Sequence, residues 1–191
     1  MRLIVIGGVA GGATAATRAR RLSEDADIVL FERGFYVSYA NCGLPYYIGG
    51  EIEKRDDLFI ASPERLRSRY RIDVRTSQEV VRIDPKQKEV KIKDHATGKE
   101  FKEFYDKLIL SPGSRPTKPP LPGINSDKIF TLSDLPDSDS IKDYLDGNTV
   151  SLRGYIAYRI LVQRSFRARI LSGGLETFSP VREDEEERQG N

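Results

Sequence analysis

Cysteine is almost missing: Cys42 is the sole one among 191 residues. No internal disulfide can form, which excludes a disulfide-stapled fold and a dithiol within this chain. A lone thiol fits a reducing, cytoplasmic compartment, where it is either a small buried side chain or a reactive group. Long apolar runs are missing as well. Nothing approaches the roughly 20 residues that cross a bilayer, so no membrane span is expected. Nor is there an excess of one charge. With 31 basic against 29 acidic residues, composition offers no ground for a nucleic-acid or membrane-surface role. The densest basic group, Arg18, Arg20 and Arg21, falls in a predicted helix, where solvation accounts for it. No metal site is expected.

What is present suits one substantial domain, or one domain with part of another. Met1–Gly12 carries one positive charge and an apolar stretch. Its paired glycines and the run Leu3-Ile4-Val5-Ile6 nevertheless indicate a buried strand, not a signal peptide. That run predicts a parallel strand covered on both faces. Ala13–Leu22 predicts a helix with small residues toward the sheet, and Ile28–Phe31 a second strand ending at Glu32. Together they make a right-handed β-α-β unit. Gly, Tyr and Asn concentrate between Arg33 and Gly50, which marks a functional loop. Pro63–Tyr70 reads as a helix with proline in its first turn.

Short strands are expected at Ile72–Val74, Val80–Ile83, Glu89–Lys93, Phe101–Tyr105 and Leu108–Leu110, with a turn at Thr97-Gly98. Ser114–Pro122 holds four prolines and should run extended. Asp134–Leu145 predicts a short helix, and a boundary is expected near Gly147. The fold expected is α/β and Rossmann-like, with a central parallel sheet and a small antiparallel β excursion. Beyond the boundary, Tyr155–Val162 suggests a helix and Arg167–Leu171 a strand. Five consecutive acids from Glu183 to Glu187 make the end of the chain an expected disordered tail.

The segment Gly7-Gly8-Val9-Ala10-Gly11-Gly12 lies between a strand and a helix. A phosphate there needs close backbone approach and free amides, both of which glycine permits. Gly7 and Gly12 fit the outer positions of a G-x-G-x-x-G fingerprint, whereas Val9 takes the middle one. Glu32, ending the second strand, restores the match, because its carboxylate can accept both ribose hydroxyls of a dinucleotide. A 2′-phosphate is disfavoured beside it. These features alone do not separate FAD from NAD.

Ser38-Tyr39-Ala40-Asn41-Cys42-Gly43-Leu44-Pro45-Tyr46-Tyr47 gathers polar and aromatic groups around the one thiol. If Cys42 begins a short helix, the leading amides would stabilise its thiolate. Ser38 and Asn41 could bond to a sulfur compound held there. The alternative, a buried structural cysteine, is disfavoured because the loop follows the ribose-binding strand.

Val5–Ala16, Phe31–Gly50 and Tyr105–Pro116 together resemble the flavoprotein disulfide reductases, nearest the coenzyme A-disulfide reductase and NADH oxidase-like branch. The resemblance covers about residues 1 to 146. In that branch the glycine turn also lacks the middle glycine, and the motif S-x-x-N-C-G matches Ser38, Asn41 and Cys42. The resemblance implies FAD at Gly7, Gly8, Val9, Ala10, Gly11, Gly12, Glu32 and Arg33. It further implies backbone contacts to adenine from Val80 and Val81, and a second flavin-contacting turn at Ser111, Pro112 and Gly113. Cys42 would carry a mixed disulfide with coenzyme A, reduced by electrons passing from NAD(P)H through FAD. Ser38 and Asn41 would hold the thiol and the coenzyme, with coenzyme A disulfide as substrate.

Members of this branch continue with a nicotinamide domain, return to the flavin domain through a Gly-Asp motif, and end in the domain through which they form homodimers. None of these is found in the 191 residues, so the chain is expected to be truncated relative to the family. Ser151–Ala157 with Ala168–Gly174 resembles the end of a rhodanese domain. Asn148 stands where a rhodanese cysteine would, so no persulfide is expected. The expected division is 1–146 as the FAD-binding segment, 147–178 as a rhodanese-like fragment and 179–191 as the acidic tail. An alternative expectation is a nucleotide-binding fragment with little or no turnover.

Overall fold

The structure, a computed structural model, describes residues 1–127 and 129–147. The expected helix, strand and tail beyond Asn148 lie outside the described residues. Within them the order is β1 (Arg2–Ile6), α1 (Gly11–Leu22), β2 (Asp27–Phe31), α2 (Leu44–Ile48), α3 (Pro63–Tyr70), β3 (Ile72–Arg75), β4 (Gln78–Asp84), β5 (Glu89–Asp94), β6 (Glu100–Phe104), β7 (Lys107–Leu110) and α4 (Leu135–Gly147). Two sheets form. One is parallel with strand order β3-β2-β1-β7, and the other is an antiparallel meander β4-β5-β6.

Successive residues of a strand point to opposite faces, so the continuous apolar runs of β1 and β2 feed two cores. Leu3, Val5, Ile28 and Leu30 pack with Ala16 of α1, Leu66 of α3 and Val74 of β3. Ile4, Val29 and Phe31 face the other way, onto Val90 and Ile92 of the meander. The parallel sheet is therefore covered by helices on one face and by the small sheet on the other. Gly12, Ala13 and Ala16 are the small residues that let α1 sit close to it.

Arg20 departs from the expected solvated helix face. It is only 8% exposed, and its guanidinium donates to the carbonyls of Tyr70, Ser23, Glu24 and Arg71. These oxygens lie at and just beyond the ends of α1 and α3, where helical carbonyls lack partners and a cation is favoured. Arg18 and Arg21 remain exposed, as expected. Arg20→Met should therefore cost about 2–4 kcal/mol, since several buried acceptors lose a charged donor at once. Arg18→Met should stay within about 0.5 kcal/mol. Urea unfolding of the two variants checks the contrast.

Candidate functional site

Three strand ends meet at one crevice. β1 runs into the glycine turn, β2 into Glu32, and β7 into the extended Ser111–Pro116 segment. The chain leaves β1 toward β2 on one side while β7 lies on the other, so a cleft opens at the carboxyl ends of the strands. The Ser111 amide donates to the Ile6 carbonyl at 2.8 Å and draws the two turns together.

Two glycines are demanded by that closeness. Gly7 has φ +92°, and a Cβ on it would lie 2.0 Å from the Ser111 carbonyl oxygen; a Cβ on Gly12 would lie 1.7 Å from the Gly7 oxygen. Gly11 differs. It lines the cleft, and the nearest atom to a Cβ there is Ser111 Oγ at 3.3 Å. The start of α1 has no side-chain cap and no acid in its first turn, an arrangement that suits an anion. The Glu32 carboxylate accepts the Gly8 amide at 2.7 Å and the Gly34 amide at 2.8 Å. Both oxygens are thereby oriented, and each keeps capacity for a further donor.

The cleft measures about 820 Å³, within the range of pockets that hold sizeable ligands. Val9, Ala10, Gly11, Glu32, Arg33, Asn41, Ser111, Pro112 and Gly113 all line it. Gly7, Gly8 and Gly12 form the frame of the turn. Val80 and Val81 are not among the lining residues. Val80 packs on the second core, while Val81 is skipped at a bulge where β4 pairs with β5, and is 45% exposed.

Cys42 lies in a 3₁₀ turn, Asn41–Gly43, that runs into the five-residue α2. The expected helix start is thus a tighter turn. The thiol is exposed and does not itself line the cleft, whereas its neighbours Asn41, Leu44 and Pro45 do. Ser38 is buried with φ +50°, a left-handed conformation that non-glycine residues seldom adopt. Its amide donates to the Gly8 carbonyl, and its own carbonyl accepts from Ile60 and Ala61. Ser38 thus ties the glycine turn to the cysteine loop through its backbone.

Sequence reasoning missed other residues of the cleft. Phe35, Tyr36 and Tyr39 line it, as do Leu132, Ser133, Asp134 and Pro136. Asp134 Oδ1 accepts the Asp137 amide at 3.0 Å, an N-cap contact that an Asp ahead of a helical pattern could have signalled. Nothing local signals that this cap faces Tyr39. Asn41 Nδ2 donates to the Ser133 carbonyl at 3.3 Å, and Arg55 binds Asp139 of α4 through both carboxylate oxygens at 2.8–3.0 Å. The hydrogen bonds that Arg55 donates to Asp139 hold its pKa above the ordinary value.

Burial, with the charges of Asp134 and Glu32, pushes the Tyr39 phenol up from 10.0 to about 12. The fold favours the protonated phenol, so this contribution to stability is intact below pH 10 and is lost as pH rises through 12. Stability of the wild-type chain should therefore fall more steeply between pH 10 and 12 than that of Tyr39→Phe. Denaturant midpoints across that window, with tyrosinate absorbance alongside, check it.

A family model described as Pyridine nucleotide-disulphide oxidoreductase matches residues 1–158, and the chain belongs to this family. Among curated relatives, the coenzyme A disulfide reductase of Staphylococcus aureus strain JH9 is 39% identical over 165 residues, which are 84% of this chain and 37% of that protein. The chain thus spans about 37% of the length of the curated relatives it matches. The crystal structure of reduced Bacillus anthracis CoADR-RHD is similar with TM-score 0.74 and 49% identity, over 76% of this chain and 26% of that one. An NAD-dependent persulfide reductase from A. fulgidus matches with TM-score 0.73 and 38% identity, over 77% of this chain and 27% of that one.

Proposed function

We propose that this chain supplies the FAD-binding and thiol-bearing part of a coenzyme A-disulfide reductase-type oxidoreductase, with NAD(P)H as electron source. The observation that carries the reading is a single cleft joining Gly11, Glu32 and Ser111 to Asn41, next to the one cysteine. The residues fit a flavin dinucleotide. Gly11 lines the cleft without a side chain, α1 presents uncapped amides for a diphosphate, and Glu32 holds two oriented oxygens for ribose hydroxyls. Val80 and Val81 are assigned to adenine. The bulge at Val81 leaves that residue out of the pairing with β5, which supports a backbone contact elsewhere.

Bound flavin would supply the two electrons that a disulfide needs. Cys42 would attack coenzyme A disulfide as the thiolate, forming a Cys42–coenzyme A disulfide and releasing one coenzyme A thiolate. Two electrons and one proton would then restore the Cys42 thiolate and release the second coenzyme A thiol. Asn41 uses one amide hydrogen on Ser133 and keeps another for the coenzyme. Ser38 would act by setting the loop's conformation. Among the described residues no helix is long and apolar enough to cross a membrane, and a cytoplasmic location belongs to the same proposal.

A second reading is a nucleotide-binding segment without turnover of its own. It is favoured by the 37% span of the relatives' length. Fluorescence titration with FAD tests the shared part of both readings. Wild-type chain should bind it, and Glu32→Ala should bind at least about tenfold more weakly, through loss of charge-assisted bonds to the ribose. A chain that stays colourless with added FAD would sink the flavin assignment. Consumption of NAD(P)H with coenzyme A disulfide then separates the two readings.

A further inference from the structure

Arg55 is not among the residues that line the cleft, yet it touches one that is. Its guanidinium sits 4.6 Å from the Tyr36 ring centroid and 5.7 Å from that of Phe59, and the two rings are 5.6 Å apart. A planar cation backed by two rings is held in orientation by their faces. Its other edge is fixed by the two-oxygen contact with Asp139, a geometry that lysine cannot reproduce. Tyr36 itself lines the cleft.

The same pair joins two parts of the chain that are distant in sequence. Asp139 belongs to α4, and Pro136 of that helix lines the cleft with Ser133 and Asp134 just before it. Leu135, at the start of α4, packs with Tyr39, Leu44 and Leu58, so this helix already rests on the cysteine loop. The Tyr36 and Phe59 rings pack against the same apolar cluster. The ion pair adds a directional link from α4, through Arg55, to the Tyr36 face.

We propose that Arg55 is a positioning residue for the cleft: anchored by Asp139, it sets the Tyr36 ring as a fixed wall of the nucleotide site. The inference rests on the reading of the cleft as a flavin site for its ligand, but not for its geometry. Tyr36 would stand preset before binding, so the ligand need not order it.

The test is a double-mutant cycle between Asp139→Asn and Tyr36→Leu, with Arg55→Lys as a second probe. In FAD titration, Asp139→Asn and Arg55→Lys should each weaken binding by about tenfold, in line with loss of a charge-assisted, two-point contact. In the Tyr36→Leu background the same substitutions should change binding less than about twofold, because the ring they hold is gone. Hydrogen exchange of residues 36–45 in the FAD-free chain should show the same pattern. Equal effects in both backgrounds would mean that the pair only pins α4, and would overturn the proposal. So would wild-type behaviour of Arg55→Lys. If the wild-type chain binds no FAD, the flavin assignment fails, and the exchange measurements alone decide the role of Arg55.

Discussion

Gly7→Ala should largely unfold the domain, with a loss of about 3 kcal/mol or more. Two costs fall on one atom. The backbone at Gly7 has φ +92°, a region where a side chain costs about 1–3 kcal/mol. The added Cβ would also lie 2.0 Å from the Ser111 carbonyl oxygen, and that oxygen belongs to backbone which cannot swing away as a side chain could. Overpacking of this kind costs about 1–3 kcal/mol more. Relief would require β1 and β7 to separate at their ends, breaking the Ser111–Ile6 hydrogen bond and widening the cleft. Gly11→Ala provides the contrast. With only Ser111 Oγ at 3.3 Å, it should leave stability within about 0.5 kcal/mol and even favour the helix. Its methyl would occupy the cleft, so FAD affinity should drop by about tenfold or more. Denaturant unfolding and flavin titration on the two variants separate a glycine needed for the fold from one needed for the ligand.

Cys42→Ser should abolish covalent capture of coenzyme A. The chain has a single cysteine, so exchange with coenzyme A disulfide can load at most one coenzyme A and release at most one free thiol. Intact mass should show that single adduct on the wild-type chain and none on the variant. Because the thiol is exposed, the substitution should change folding stability by less than about 0.5 kcal/mol. A variant that folds normally yet takes up no coenzyme A would attribute the chemistry to sulfur. An adduct-free wild-type chain would remove Cys42 from the proposed path, whatever the flavin result. Any turnover of NAD(P)H with coenzyme A disulfide should vanish with the same substitution.

Much of the fold was legible because local pattern and tertiary role agree. The run Leu3–Ile6 predicts a strand covered on both faces, and both cores use it. Pro63–Tyr70 forms as predicted, with Ser62 accepting the Arg65 amide at its start. Arg20 was misjudged for a definite reason. Helical periodicity places it beside exposed arginines, but its burial depends on the end of α3, fifty residues away. Likewise nothing around Asp139 marks it as the partner of Arg55, or Tyr36 as a lining residue of the cleft.

The sequence by itself determined the β-α-β unit, the glycine turn, the acid that ends β2 and the presence of one thiol. These depend on residue type and short spacing, which periodicity and backbone sterics translate directly into structure. Only the tertiary structure decided that the thiol stands exposed beside the cleft in a 3₁₀ turn, and that Gly7 must be bare because Ser111 presses on it. It also decided that Asp139 of α4 binds Arg55 beside the Tyr36 ring. Such relations join segments far apart in the chain, through the two cores on the sheet and a third cluster around Tyr39, Leu44 and Leu135. No local pattern carries them.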